Sequence, residues 1–250
     1  MTPDDDSPGE RLAGRLKVAL IVATVVLVGV AGAVWLMRQV NFVRQAAMRM
    51  KGSGDLCQFA LAEHNFADHT QSGLVGPFAI NSDGLTRPEL SFRVSLLPYI
   101  EMHKVHELID LNESWDSARN APATSRVIRN LQSPDTPDRA KPDTPYRVFY
   151  GGGALFAADG TPVKLKEVHD GLSNTILFVH ATETVPWAKP QEFPYTATTP
   201  LPPLGSPGLG KDGFNVAMAD GSVRFLRHTI AEADLRSLIE KADGRGANIE

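Results

Sequence analysis

The chain reads as an α+β protein: an N-terminal transmembrane helix followed by a mainly antiparallel sheet, with flanking helices and long loops. Three stretches carry that reading. Residues 18–37, VALIVATVVLVGVAGAVWLM, form a run of 20 without a charge. Residues 214–226, FNVAMADGSVRFL, alternate apolar and small or polar residues on both sides of Asp220 and Gly221. Residues 229–244, TIAEADLRSLIEKADG, place Leu235, Leu238 and Ile239 on one helical face. A chain of 250 residues that is 42% hydrophobic has enough apolar material for one real core beyond such a membrane segment.

The apolar run comes first. At about 1.5 Å of rise per residue it spans roughly 30 Å, the thickness of a bilayer's hydrocarbon core. Backbone groups in lipid must pair within the segment, so the run must be a helix. Trp35 sits near its end, where an indole suits the interface. The rival reading is a cleaved signal peptide, with Ala31, Gly32 and Ala33 as a small-residue cleavage site. The run continues past that site, and the leader before it is long and carries Asp4, Asp5, Asp6 and Glu10, which favours an uncleaved anchor. Arg11, Arg15 and Lys17 precede the run; Arg38, Arg44, Arg49 and Lys51 follow it, so charge does not decide the orientation.

The expected organisation is a polar tail over 1–17, the membrane helix over 18–37, a stalk helix over 38–54 and a globular domain over 55–245. Gly52, Ser53 and Gly54 predict a break after the stalk. A second helical pattern follows, with Leu56, Phe59, Ala60 and Phe66 on one side. Residues 88–110 predict two short helices bent at Pro98, with Val94, Leu97, Val105, Leu108 and Ile109 as core contacts. Residues 133–145 are a proline-rich loop, residues 146–150 a strand, and residues 176–179, ILFV, a buried strand. Residues 193–212 hold five prolines and predict a further loop. In the last helix, Thr229 and Glu232 have capping-box spacing, and Gly244 suits a left-handed end.

Candidate chemistry is sparse. Net charge of −4, with no basic stripe along the chain, gives no nucleic-acid footprint. The single cysteine, Cys57, rules out an internal disulfide and reads as a small core residue on its helix. Asp220 and Gly221 suit a two-residue type I′ hairpin turn better than a ligand loop. Asp159-Gly160 and Asp170-Gly171 are also turn signals, without the twelve-residue calcium-loop pattern. His103 and His106 lie three apart, so a helix would place both on one face. They are the best metal candidates, although structural zinc wants four ligands and no third is indicated. His64 and His69, with Asp68 between them, do not share a helical face. Gly151, Gly152 and Gly153 match no phosphate-loop pattern, and no GxSxG elbow is present.

Five blocks, in order over roughly residues 40–245, resemble one family. They are LAEHNFADH, SFRVSLLPYIE, VHDGLSNTILFVHATETVPWAKPQE, GFNVAMADGSVRFL and IAEADLRSLIEKADG. The chain is similar to bacterial domain-of-unknown-function family 1559, type II secretion pseudopilin-like proteins labelled by a His-x9-Asp-Gly motif. The resemblance implies a pilin-like plan: a long helix, hydrophobic first, leading into an antiparallel sheet. It implies no established activity. Gly210 stands where the motif's histidine would lie, and QSPD at 132–135 lacks the cysteine of the family's CPSD block. Residues 18–37 carry no acidic residue and no pilin-type processing site, so the tail is expected to stay and not to polymerise by the pilin route.

These readings lead to an expectation of a single-pass bacterial membrane protein with its globular domain on the extracytoplasmic side. Its expected partners are the lipid bilayer, through residues 18–37, and envelope proteins; no cofactor and no catalysis are expected. The alternative is a membrane-tethered binding protein or hydrolase acting on an envelope glycan, with the proline-rich loops framing a groove.

Overall fold

The computed structural model describes residues 8–81, 83–134, 136, 138–205 and 212–245. Gly210, Asp135 and the first seven residues of the expected polar tail lie outside the described residues. The chain forms an N-terminal helix followed by small sheets and short helices, an α+β arrangement. It divides into two compact units, Met1–Ala46 and Ala47–Glu250. Helix α1, Pro8–Thr70, contributes to both.

In the first unit every described side chain from Leu20 to Met37 is exposed, Leu27 to 72%. The apolar run is therefore not core filling. By length and composition this helix is able to cross a membrane.

In the second unit, α1 continues through Gly52, Ser53 and Gly54 without the expected break. A glycine inside a helix costs about 1 kcal/mol against alanine, and tertiary packing overrides that preference here. Gly52 is buried, and Leu56, Phe59, Ala60 and Phe66 beyond it are all in the core. Cys57 faces solvent, contrary to the core position expected for it. The helix buries the neighbouring face, which carries Leu56, Phe59 and Ala60.

Strand β1, Phe78–Ile80, pairs antiparallel with β2, Thr86–Ser91. The helix expected from residue 88 therefore begins later, because Pro88 to Ser91 complete a strand. After it come α2, Arg93–Leu96, a 3-10 turn, Leu97–Ile100, with Pro98 in its first positions, and α3, His103–His106. Val94, Leu97, Val105 and Ile109 are buried as expected, but Leu108 is 46% exposed. Its turn follows α3 and points the side chain outward. Helix α4 is one turn, Ala121–Thr124.

The strand expected over 146–150 is divided between β3, Asp143–Arg147, which begins three residues earlier, and β4, Phe149–Tyr150. Strand β5, Ile176–Pro186, extends well past the ILFV run. The short β6, Phe193–Pro194, lies parallel to β4. Strands β7, Gly213–Met218, and β8, Val223–Arg227, form the hairpin, and α5, Glu232–Ile239, closes the unit. The main sheet is four-stranded, in the order β3-β5-β7-β8, with every pair antiparallel.

The period of two along these strands builds two cores. On one face, Phe178, Ala217 and Ala219 meet α1 and the β1–α2 region, with ring centroids 4.8 Å apart for Phe59 and Phe178 and 5.7 Å for Phe92 and Phe178. On the other face, Val179, Phe214, Val216, Met218 and Leu226 meet Leu235, Leu238 and Ile239 of α5. The apolar face expected for α5 is in place. Its capping box is not: Ala231 is the N-cap without a side-chain bond, and Glu232 turns to Arg236 at 2.7 Å. Gly244, five residues past the helix end, is held by Asp170, whose carboxylate accepts from the N–H groups of Asp243 and Gly244 at 2.6 and 2.9 Å.

Candidate functional site

Strand β8 is an outer strand of the main sheet, so among the described residues no strand pairs with its other edge. Its register with β7 puts Phe225 opposite Asn215 and Arg227 opposite Gly213. Alternation sends these residues to the face that α1 covers. There Asn215 is buried, and its side-chain amide donates to the backbone carbonyl of Arg49 at 3.2 Å, which fixes α1 on β7. The Arg49 guanidinium lies over the Phe225 ring, 5.6 Å from its centroid.

Between these elements is an open cleft of about 520 Å³, with Arg49, Ser53, Asn215, Arg224 and Phe225 among its lining residues. A second hollow of about 570 Å³ shares Arg49 and Phe225 and adds Asp212, Arg227 and His228. Gly213 makes room for its floor. A Cβ at that position would lie 2.8 Å from Cε1 and Cζ of Phe225 and would strike the Leu226 carbonyl. Phe225 remains 37% exposed although it sits in a strand. Among the described residues, neither Arg49 nor Arg227 takes part in an ion pair. The arrangement is a cationic hollow with an aromatic floor, a combination that suits an anionic group.

The sequence shows Arg224, Phe225, Arg227 and His228 as neighbours, an aromatic interleaved with basic residues. That was the available signal. Arg49 comes from a distant helix, and no local pattern joins it to them.

The hairpin turn itself differs from the expected type. Asp220 has an ordinary negative φ; only Gly221, at +84°, is left-handed. The Gly221 N–H donates to Met218 O at 2.9 Å and the Met218 N–H to Ser222 O at 2.8 Å. This is a three-residue turn closed by a glycine bulge, in place of a type I′ turn. The Asp220 carboxylate accepts from the Ser222 N–H at 2.9 Å and from its hydroxyl at 2.6 Å. Partial burial pushes that carboxyl up, but the two Ser222 bonds and nearby Arg224 outweigh it and hold it below its ordinary value. The visible work of Asp220 is to order the turn.

His103 and His106 do share the short helix α3. Burial lowers the His106 pKa, against the opposing charge of Glu107. Among the described residues, no three His, Cys, Asp or Glu side chains converge in a metal-binding group. His64 packs against the hairpin instead, its ring 3.8 Å from where a Gly221 Cβ would stand, and His69 meets the Tyr99 ring edge-on at 6.1 Å. Next to His64, Glu63 is fully buried. Its Oε1 accepts from the Val75 N–H, and its Oε2 has no hydrogen-bond partner among the described residues.

The strongest polar constellation is structural. Arg93 and Glu192 are both fully buried and meet at 2.7 Å. Arg93 also donates to the Ser91 hydroxyl at 2.6 Å and to the Tyr146 carbonyl at 3.1 Å. Arg147 stands close by, its guanidinium 3.6 Å from the centroid of the Phe193 ring. Burial pulls its pKa down to about 10; Glu192 opposes the shift and Arg93 adds to it.

A family model described as "Protein of unknown function (DUF1559)" matches residues 42–200, and the chain belongs to that family. The matched stretch holds the SFRV block with Arg93 and the VPWAKPQE block with Glu192; the hairpin with Asp220 lies beyond it. No curated protein and no solved structure gives a significant match to the chain.

Proposed function

We propose that the chain is a membrane-anchored, pilin-like protein of the bacterial envelope with an interaction or structural role and no catalysis of its own. Residues 18–37 are its single-pass anchor, and the unit beyond residue 46 is its extracytoplasmic head. The observation that carries this reading is the charge-free run of α1, whose described side chains are all exposed. In water such a surface is unstable, at roughly 25 cal/mol for each Å² of apolar area left uncovered. In lipid it is the ordinary surface of a spanning helix. Family membership supports the reading without naming a partner. The absence of any acidic residue in the run favours a retained anchor over a pilin-style subunit.

The rival role, hydrolysis of an envelope glycan, draws no support from the cleft. Glycoside hydrolysis uses a pair of carboxyl groups, whereas the described lining residues include Arg49, Arg224 and Arg227 and a single acid, Asp212. The test is chemical crosslinking in intact cells, followed by isolation of the full chain. Recovery with a specific envelope protein supports the interaction role; recovery only as a free monomer argues against it.

A further inference from the structure

We propose that the cleft between Arg49 and Phe225 binds the phosphate of an anionic phospholipid headgroup, in the same bilayer that holds the chain. This inference rests on the membrane-anchored reading and assigns a ligand class to the head.

Charge comes first. Among the described residues, the chain's ion pairs employ Lys51, Arg93, Lys141 and Arg236. Arg49 and Arg227 are not among them; Arg49 and Phe225 line both adjoining hollows, Arg224 the first and Arg227 the second, beside Asp212. Arginine side chains that repel one another around a hollow are stabilised when an anion enters it. The guanidinium fork presents paired N–H donors that match a phosphate's oxygens.

Geometry comes second. The site is held by a built frame, not by loose surface side chains. Asn215 clamps the Arg49 carbonyl at 3.2 Å, and Gly213 leaves the space that the Phe225 ring occupies. Ser53 and Asn215 add neutral hydrogen-bonding groups to the lining. A hollow of about 520 Å³ lies within the range of small-ligand sites and suits a headgroup better than a bare ion.

The choice of lipid comes third. Arg49 follows Met37, the last residue of the apolar run, by twelve positions. Twelve residues span at most about 40 Å even fully extended, so an anchor at residues 18–37 bounds how far Arg49 can lie from the bilayer. Basic groups near an anionic leaflet gain about 1 kcal/mol each from its surface potential, and Arg38 and Arg44 stand in the same stretch of sequence. The exposed Phe225 provides an apolar surface beside the phosphate-binding groups, as an interfacial ligand requires.

The experiment uses the full chain in mixed micelles of phosphatidylglycerol and phosphatidylcholine, with retained lipid counted by native mass spectrometry. Wild type is expected to retain phosphatidylglycerol preferentially. R49Q/R227Q is expected to lose that preference by about tenfold, in line with the loss of charge-assisted hydrogen bonds. R227Q alone, at an exposed position, lowers it partway and controls for folding. A parallel arm titrates inorganic phosphate into the mixed micelles and, separately, into micelles of phosphatidylcholine alone. Displacement of phosphatidylglycerol by phosphate supports the shared chemistry. Phosphate binding without any phosphatidylglycerol preference overturns the lipid source, and equal retention by wild type and R49Q/R227Q overturns the site. If the chain remains a membrane protein in that last case, the anchored reading survives and only the headgroup assignment falls.

Discussion

Arg93 and Glu192, 99 residues apart in sequence, form a forked ion pair at 2.7 and 3.2 Å with both side chains fully buried. Glu192 also accepts from the Val148 N–H at 3.0 Å, and Arg93 donates to the Tyr146 carbonyl. The pair therefore joins the β2–α2 corner to β3, β4 and the segment after β5. Removing one partner leaves the other charged and dry, which typically costs 3–5 kcal/mol. R93A and E192A should each destabilise the full chain in detergent by about that amount in urea unfolding. R93M/E192M should be far less damaging than the sum of the singles. Single variants within about 0.5 kcal/mol of wild type would show that the pair does not hold the head together.

Glu63 should make stability depend on pH. Burial raises its carboxyl well above the ordinary value of 4.5, and the Val75 N–H offsets this only in part. The folded chain thus keeps a proton that the unfolded chain releases. Stability is full below about 4.5 and declines as pH rises toward the elevated folded value. E63Q keeps an acceptor for the Val75 N–H and removes the titration. Its melting temperature relative to wild type should rise by a few degrees between pH 5 and pH 8. A difference that is the same at both pH values would exclude this role.

The Asp220 turn should behave as a turn. G221A places a Cβ at a φ of +84° and should cost about 1 kcal/mol or more. D220A removes two bonds to Ser222 and should cost about 1 kcal/mol. D220N keeps the acceptor oxygen and should lie near wild type in thermal unfolding. A D220N variant as unstable as D220A would mean that the charge itself matters.

Cys57 is exposed, so a maleimide should label it in the native protein at a rate close to that in denaturant. Protection by more than about a hundredfold would place it in a contact that opens only by local unfolding.

The parts of the fold legible in sequence are those written in one local period. The charge-free run, the ILFV strand, the β7–β8 hairpin and the apolar face of α5 all follow from residues a few positions apart. Gly52, Ser53 and Gly54 misled because glycine preference is worth only about 1 kcal/mol, and the packing of Leu56 and Phe59 outweighs it. Residues from Pro88 onward read as helix, but pairing of β1 with β2 extends the strand as far as Ser91. Cys57 falls just beside the buried stripe of α1, an angular error that composition cannot detect. The Arg93–Glu192 pair and the Arg49–Phe225 cleft were illegible for a different reason. Each joins residues from distant segments, and only the folded register brings them together.

The most direct measurement is alkaline carbonate extraction of membranes from cells producing the full chain, with the intact mass determined by mass spectrometry. A chain anchored by residues 18–37 stays in the pellet at its full mass, less at most the initiator methionine. Release into the supernatant, or a shortened chain beginning after Ala33, would contradict the anchor and with it the reading of the head as a tethered module.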